Sequence, residues 1–84
     1  MKMIQFPFPI FIFKEGKWFV AECPILNIAT QGRTEKEVKE NIKDLIQEYL
    51  DDPDTSKEAL KDISSPTVTF IPMAVSKELV YGRT

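Results

Sequence analysis

Three local patterns predict an α+β domain with the element order β-β-β-α-β. Two aromatic-rich runs flank a Gly-containing turn, a third short run leads through Gly32 into a capped amphipathic helix, and β-branched residues return at Thr67–Val75. A helix between the third and fourth strands is long enough for a right-handed crossover, which places the last strand parallel to the first. The predicted sheet order is therefore 3-2-1-4, with one main helix covering one face.

The helix has the strongest signal. Val38, Ile42, Leu45, Ile46, Tyr49 and Leu50 recur at helical spacing and form one apolar stripe. Thr34-Glu35-Lys36-Glu37 reads as a capping box, with the Thr34 hydroxyl accepting from the Glu37 amide and Glu37 reaching back to the cap amide. Pro53 has no amide proton and disfavours helix at Asp52, so the helix is expected to close near Leu50 or Asp51.

Upstream, Pro9 to Cys23 reads as a hairpin: Ile10-Phe11-Ile12-Phe13, a turn over Lys14-Glu15-Gly16-Lys17 in which Gly16 supplies positive φ, then Trp18 to Cys23. With a two-residue loop, the expected register sets Phe13 against Trp18, Ile12 against Phe19, Phe11 against Val20 and Ile10 against Ala21. Alternation puts Phe8, Ile10, Ile12, Phe19, Ala21 and Cys23 on one face, and Phe11, Phe13, Trp18, Val20 and Glu22 on the other. Pro7 and Pro9 aim their nitrogens at one edge, so the strand's beginning is expected to be unpaired there. Pro24 ends the second strand, Ile25-Leu26-Asn27 makes a bend, and Ile28–Gln31 forms the third strand. After the helix, residues 51–65 are polar and Pro-bounded, with one or two helical turns expected within Ser56–Ile63. Pro72 marks Thr67–Val75 as an edge strand. Residues 1–75 make the domain, and 76–84 a loose tail without room for a DNA-binding domain.

A chain of 84 residues, 43% hydrophobic and 29% charged, has room for one core. One Cys within an apolar strand implies a reduced, buried thiol and a cytoplasmic chain. The N-terminal apolar run carries two prolines and no small-residue cleavage site, which reads as strand rather than export signal. No apolar run approaches the roughly 20 residues of a membrane span. A net charge of −2 without a Lys/Arg block argues against a nucleic-acid footprint.

Catalytic chemistry has little to build on. There is no His, the lone Cys lacks a partner base, and no Cys/His metal set exists. The first and last strands carry no carboxylates to converge on a pair of metal ions, and Glu22 reads as a solvent-facing strand residue. No catalytic residue, metal or cofactor is expected. Two surface features stand out instead. Glu48, Asp51, Asp52 and Asp54 gather at the helix C-terminus, where the macrodipole disfavours negative charge, as a candidate docking patch for a basic partner. Phe11, Phe13, Trp18 and Val20 lie on the sheet face that one helix leaves uncovered, as a candidate contact of a homo-oligomer.

Trp18-Phe19-Val20-Ala21-Glu22-Cys23-Pro24, then Thr30-Gln31-Gly32-Arg33-Thr34, then Glu37 and Asn41-Ile42, resemble the HicB-like antitoxin family of type II toxin–antitoxin systems over most of the chain. Two departures are visible. The family's Pro-x-Leu-Pro-Gly bend is here Pro24-Ile25-Leu26-Asn27-Ile28, and the C-terminal DNA-binding domain of many members has no counterpart. The resemblance implies a partial, catalytically degraded ribonuclease-H-like fold that binds and neutralises a small basic mRNA-cleaving HicA-like toxin. The alternatives are a residual nuclease or RNA-binding protein of the same fold, and an orphan oligomeric domain without a toxin.

Overall fold

The computed structural model describes residues 2–81, except the side chains of Ala59 and Tyr81. β1 (Phe11–Glu15) and β2 (Trp18–Cys23) form an antiparallel hairpin around Gly16-Lys17. Gly16 has φ +63° and Lys17 is not in the positive-φ region, as in a type II′ turn whose twist suits the flanking strands. The two-residue loop is closed by Glu15 and Trp18 rather than by Phe13 and Trp18. Glu15 pairs with Trp18, Phe13 with Val20, Ile12 with Ala21 and Phe11 with Glu22, a slip of two from the expected register. Because side chains alternate with period two, a two-residue slip leaves every residue on its expected face.

Between β2 and β3 (Ile28–Gly32) the chain makes two successive tight turns, with the Leu26 amide bonding to Cys23 O and the Asn27 amide to Pro24 O, each at 3.2 Å. Asn27 takes the left-handed conformation at φ +56°, which Asn tolerates better than most side chains, and Leu26 is tucked inside. β3 lies antiparallel to β2, giving a three-stranded sheet in the order β1-β2-β3.

Helix α1 (Glu35–Asp51) begins where expected. The Glu37 amide donates to Thr34 Oγ1 at 3.0 Å, but Glu37 Oε1 accepts from the Arg33 amide, also at 3.0 Å, one residue before the cap. A Cβ on Gly32 would lie 2.9 Å from the Val38 nitrogen, so glycine is what lets the helix start sit against the strand end. Val38 and Ile42 pack on Ala21 to make the core, ringed by Ile10, Ile12, Phe19, Ile28 and Ile46, with Cys23 also fully buried. The stripe then lifts away: Leu45, Ile46 and Tyr49 are half-buried and Leu50 is exposed. Asn41 Nδ2 donates to Gln31 O at 3.1 Å and ties α1 to the outer side of β3.

The expected fourth strand is not in the sheet. Thr67–Val75 has no regular secondary structure and pairs with no strand among the described residues, so no 3-2-1-4 order forms within the chain. The connection from α1 explains this locally. Tyr49 Oη donates to Ser56 O at 3.3 Å, and Lys57 Nζ donates to Thr55 O at 2.8 Å and to Asp52 O, turning the chain back on the helix end. A 3-10 helix over Glu58–Asp62 follows, and Leu60 lines a cavity with Ile4, Phe6, Phe8 and Leu50. From there the chain leaves as an arm, and the radius of gyration is 16.0 Å, against about 12 Å for a compact chain of this length. Lys77–Tyr81 is a short helix, α2, rather than loose tail; residues 82–84 of the expected tail lie outside the described residues. Among the described residues, no helix is long and apolar enough to cross a membrane.

Gly32→Ala is expected to cost about 1–3 kcal/mol, the usual cost of forcing extra volume into a packed site. Urea denaturation checks it; unchanged stability would mean that the strand–helix junction yields freely.

Candidate functional site

The sheet face opposite α1 presents cross-strand rows. One row runs Phe11, Glu22, Ala29 across β1, β2 and β3, the next Phe13, Val20, Gln31, and Glu15 sits beside Trp18. Phe13 and Trp18 are diagonal neighbours across the hairpin, within reach of aromatic side chains. Phe11, Phe13 and Trp18 are 41%, 43% and 38% exposed. The Arg33 guanidinium stacks 5.3 Å from the Trp18 ring centroid and covers only that corner. Residues 51–65 fold toward the N-terminal segment instead, with Leu60 beside Phe6 and Phe8. All four residues expected at an oligomer contact therefore share one surface, and the three aromatics stand open on it.

The acidic patch is rearranged relative to expectation. Glu48, Asp51 and Asp52 line a shallow depression with Gln47 and Asp44, whereas Asp54 is not among its walls. Asp44 escaped notice because it lies one turn before the run of acids; its spacing of four and seven from Glu48 and Asp51 was the available signal. Asp51 Oδ1 accepts from Gln47 Nε2 at 3.1 Å. Asp52 is committed to its own turn, accepting from the Thr55 hydroxyl at 2.7 Å and the Asp54 amide at 2.9 Å. Those two bonds, Thr55 foremost and then Asp54, with a smaller contribution from Lys57, hold its carboxyl below the usual carboxylate range. Glu48, Asp51 and Asp44 remain as the outward charge.

A third feature was not foreseen. Between β1 and α1 runs an apolar groove of about 580 Å³, walled by Phe8, Ile10, Ile12, Ile42, Ile46 and Leu50. Lys39, Lys43 and Gln47 also border it. These residues read as core from their spacing, but α1 sits over β2 and β3 and leaves the β1 side open. Among the described residues no three His, Cys, Asp or Glu side chains converge to hold a metal ion.

No family model, no curated protein and no solved structure matches this chain.

A group with a depressed folded-state pKa stabilises its turn above the usual carboxylate range and loses that contribution as pH falls through the lowered value. On acidification, the Asp54 amide resonance is expected to follow Asp52 with a midpoint below that of an ordinary Asp. A midpoint at or above the ordinary value would show that the Thr55 and Asp54 bonds do not form in solution.

Proposed function

We propose that the chain is a non-catalytic protein-binding module of the HicB-like antitoxin type, which binds and neutralises a small basic HicA-like mRNA-cleaving toxin and self-associates through Phe11, Phe13, Trp18 and Val20. The observation that carries the binding reading is the uncovered face on which three aromatics are each about two-fifths exposed. Each ring hides on the order of 150–250 Å² when fully covered, so at about two-fifths exposed the three together still leave roughly 200–300 Å² of aromatic surface on one face, a contiguous patch of the kind that marks a contact site. The antitoxin assignment draws on the motif resemblance, and on the carboxylates Asp44, Glu48, Asp51 and Asp52 at one end of the molecule, suited to steering a basic partner. The partial ribonuclease-H-like sheet, in the order 3-2-1-4, belongs to the same proposal.

The test is to co-express the chain with the basic protein of about 60–80 residues whose reading frame neighbours it; basic charge is the footprint of an RNA-cleaving partner. Growth arrest caused by that protein should be relieved, and the two should co-purify. A variant with Glu48, Asp51, Asp52 and Asp54 neutralised to Gln or Asn should associate more slowly at low salt, with a flatter salt dependence and dissociation less affected. Absence of such a neighbour, or relief without binding, would overturn the antitoxin reading.

The purified protein with Mg²⁺ or Mn²⁺ should cleave neither RNA nor RNA–DNA hybrid. Metal-dependent cleavage that is lost in Glu22→Ala would favour the residual-nuclease reading instead.

A further inference from the structure

The arm from Ser64 to Ser76 has the composition of a strand and the surroundings of none. Phe70, Ile71 and Met73 are 88%, 74% and 75% exposed, and Val68 and Val75 are exposed as well. Both alternations are apolar, with Val68, Phe70 and Ala74 on one side and Ile71, Met73 and Val75 on the other. A strand that extends a sheet with an apolar groove on one face and aromatics on the other needs this pattern.

The sheet has a matching vacancy beside β1. In a hairpin closed by two residues, the flanking pair Glu15–Trp18 exchanges hydrogen bonds, so the backbone groups of Ile12 and Lys14 point away from β2. No hydrogen bond to them occurs among the described residues, and β1 has no second neighbour. The groove walled by Ile10, Ile12, Ile42 and Ile46 borders this edge. The opposite edge is less available, because Asn41 already occupies the Gln31 carbonyl on the outer side of β3. Pro72 is compatible with docking at β1 in one alternation only: the amides of Thr69, Ile71, Met73 and Val75 face the sheet, while the proline nitrogen faces water at the new edge.

We infer that the arm Thr67–Val75 of one copy adds as a fourth strand to the β1 edge of a second copy, entering the groove between β1 and α1, and that the exchange is reciprocal. The inference rests on the self-association proposed above and adds the arm as the contact that holds the dimer, with Phe11, Phe13, Trp18 and Val20 as a second, weaker contact. The arm's own connector favours exchange: the turn at Asp52–Lys57 and the seat of Leu60 anchor the arm's origin, Pro66 stiffens its exit, and the molecule's long axis reaches 52 Å. Reciprocal exchange closes with two-fold symmetry and leaves no unpaired arm. Five large apolar side chains per arm are exposed, and covering such a side chain hides on the order of 60–120 Å². The receiving surfaces lose a similar area, so two arms reach the roughly 1,600 Å² of a standard interface. Each half of the dimer then has the sheet order 3-2-1-4, with the fourth strand from the other copy.

Sedimentation of the full chain at about 100 μM, well above a micromolar dissociation constant, should give a dimer. Phe70→Asp combined with Ile71→Asp should convert it to a monomer that keeps the helical far-UV circular dichroism of the folded domain, since neither side chain belongs to the core. Trp18→Glu, on β2 and one strand in from the docking edge, removes only the weaker contact through the aromatic face and should leave the arm-exchanged dimer intact. In a sample mixed from differently labelled copies, isotope-filtered NOEs should connect arm methyls with Ile12 and Ile46. A dimer lost in Trp18→Glu but kept in the arm variant would overturn arm exchange while sparing self-association through the aromatic face. A monomeric wild type with protected Ile12 and Lys14 amides would mean that the arm docks on its own sheet. A monomer with unprotected amides would overturn both exchange and self-association.

Discussion

The close approach of Val38 to Gly32 governs how this domain is put together. A strand end that carried a Cβ would push the first turn of α1 outward, whereas glycine lets the helix backbone rest directly against β3. From that seat the helix lies over β2 and β3, and Val38 and Ile42 bury against Ala21. A single helix seated there cannot also seal the β1 side of a three-stranded sheet. The groove beside β1, the half-buried Ile46 and the exposed Leu50 all follow from this one placement.

The residues that resemble an antitoxin motif can be assigned physical tasks at this junction. Gly32 permits the approach, Thr34 and Glu37 satisfy the amides of the helix start, Asn41 bonds to the β3 carbonyl at Gln31, and Ile42 fills the core. Such a motif describes how a strand is joined to a helix. The binding reading rests instead on surfaces: the open face, where Trp18 and Val20 of the motif stand with Phe11 and Phe13, and the carboxylates of the helix end. Those carboxylates sit against the helix dipole, and the local turn at Asp52 with Lys57 folded back on it gives the helix end part of its support.

Several features were legible in the residues because they are local. The helix span from Glu35 to Asp51 follows from a capped start, a periodic stripe and a proline stop. The partition of hairpin side chains between two faces was readable even though the register was not, because parity survives a slip of two. The register itself turned on which pair closes the loop, Glu15 with Trp18 or Phe13 with Trp18, a choice that composition does not express. Phe11, Phe13, Trp18 and Val20 share the open face for the same reason of parity, whereas the separation of Asp54 from the other acids depends on a turn made by side-chain bonds.

The sequence alone determined three antiparallel-capable strands, one amphipathic helix and a segment of strand-like composition at Thr67–Val75, since alternation, capping and proline placement act within a few residues of each other. Only the tertiary structure decided where α1 rests across the sheet, and hence which apolar residues are core and which line an open groove. It also decided that the last apolar segment stands apart from its own sheet. Strand pairing joins residues distant in the chain, and its outcome here depends on how the connector at Asp52–Leu60 folds back against the helix end, a long-range competition that propensity and periodicity do not encode.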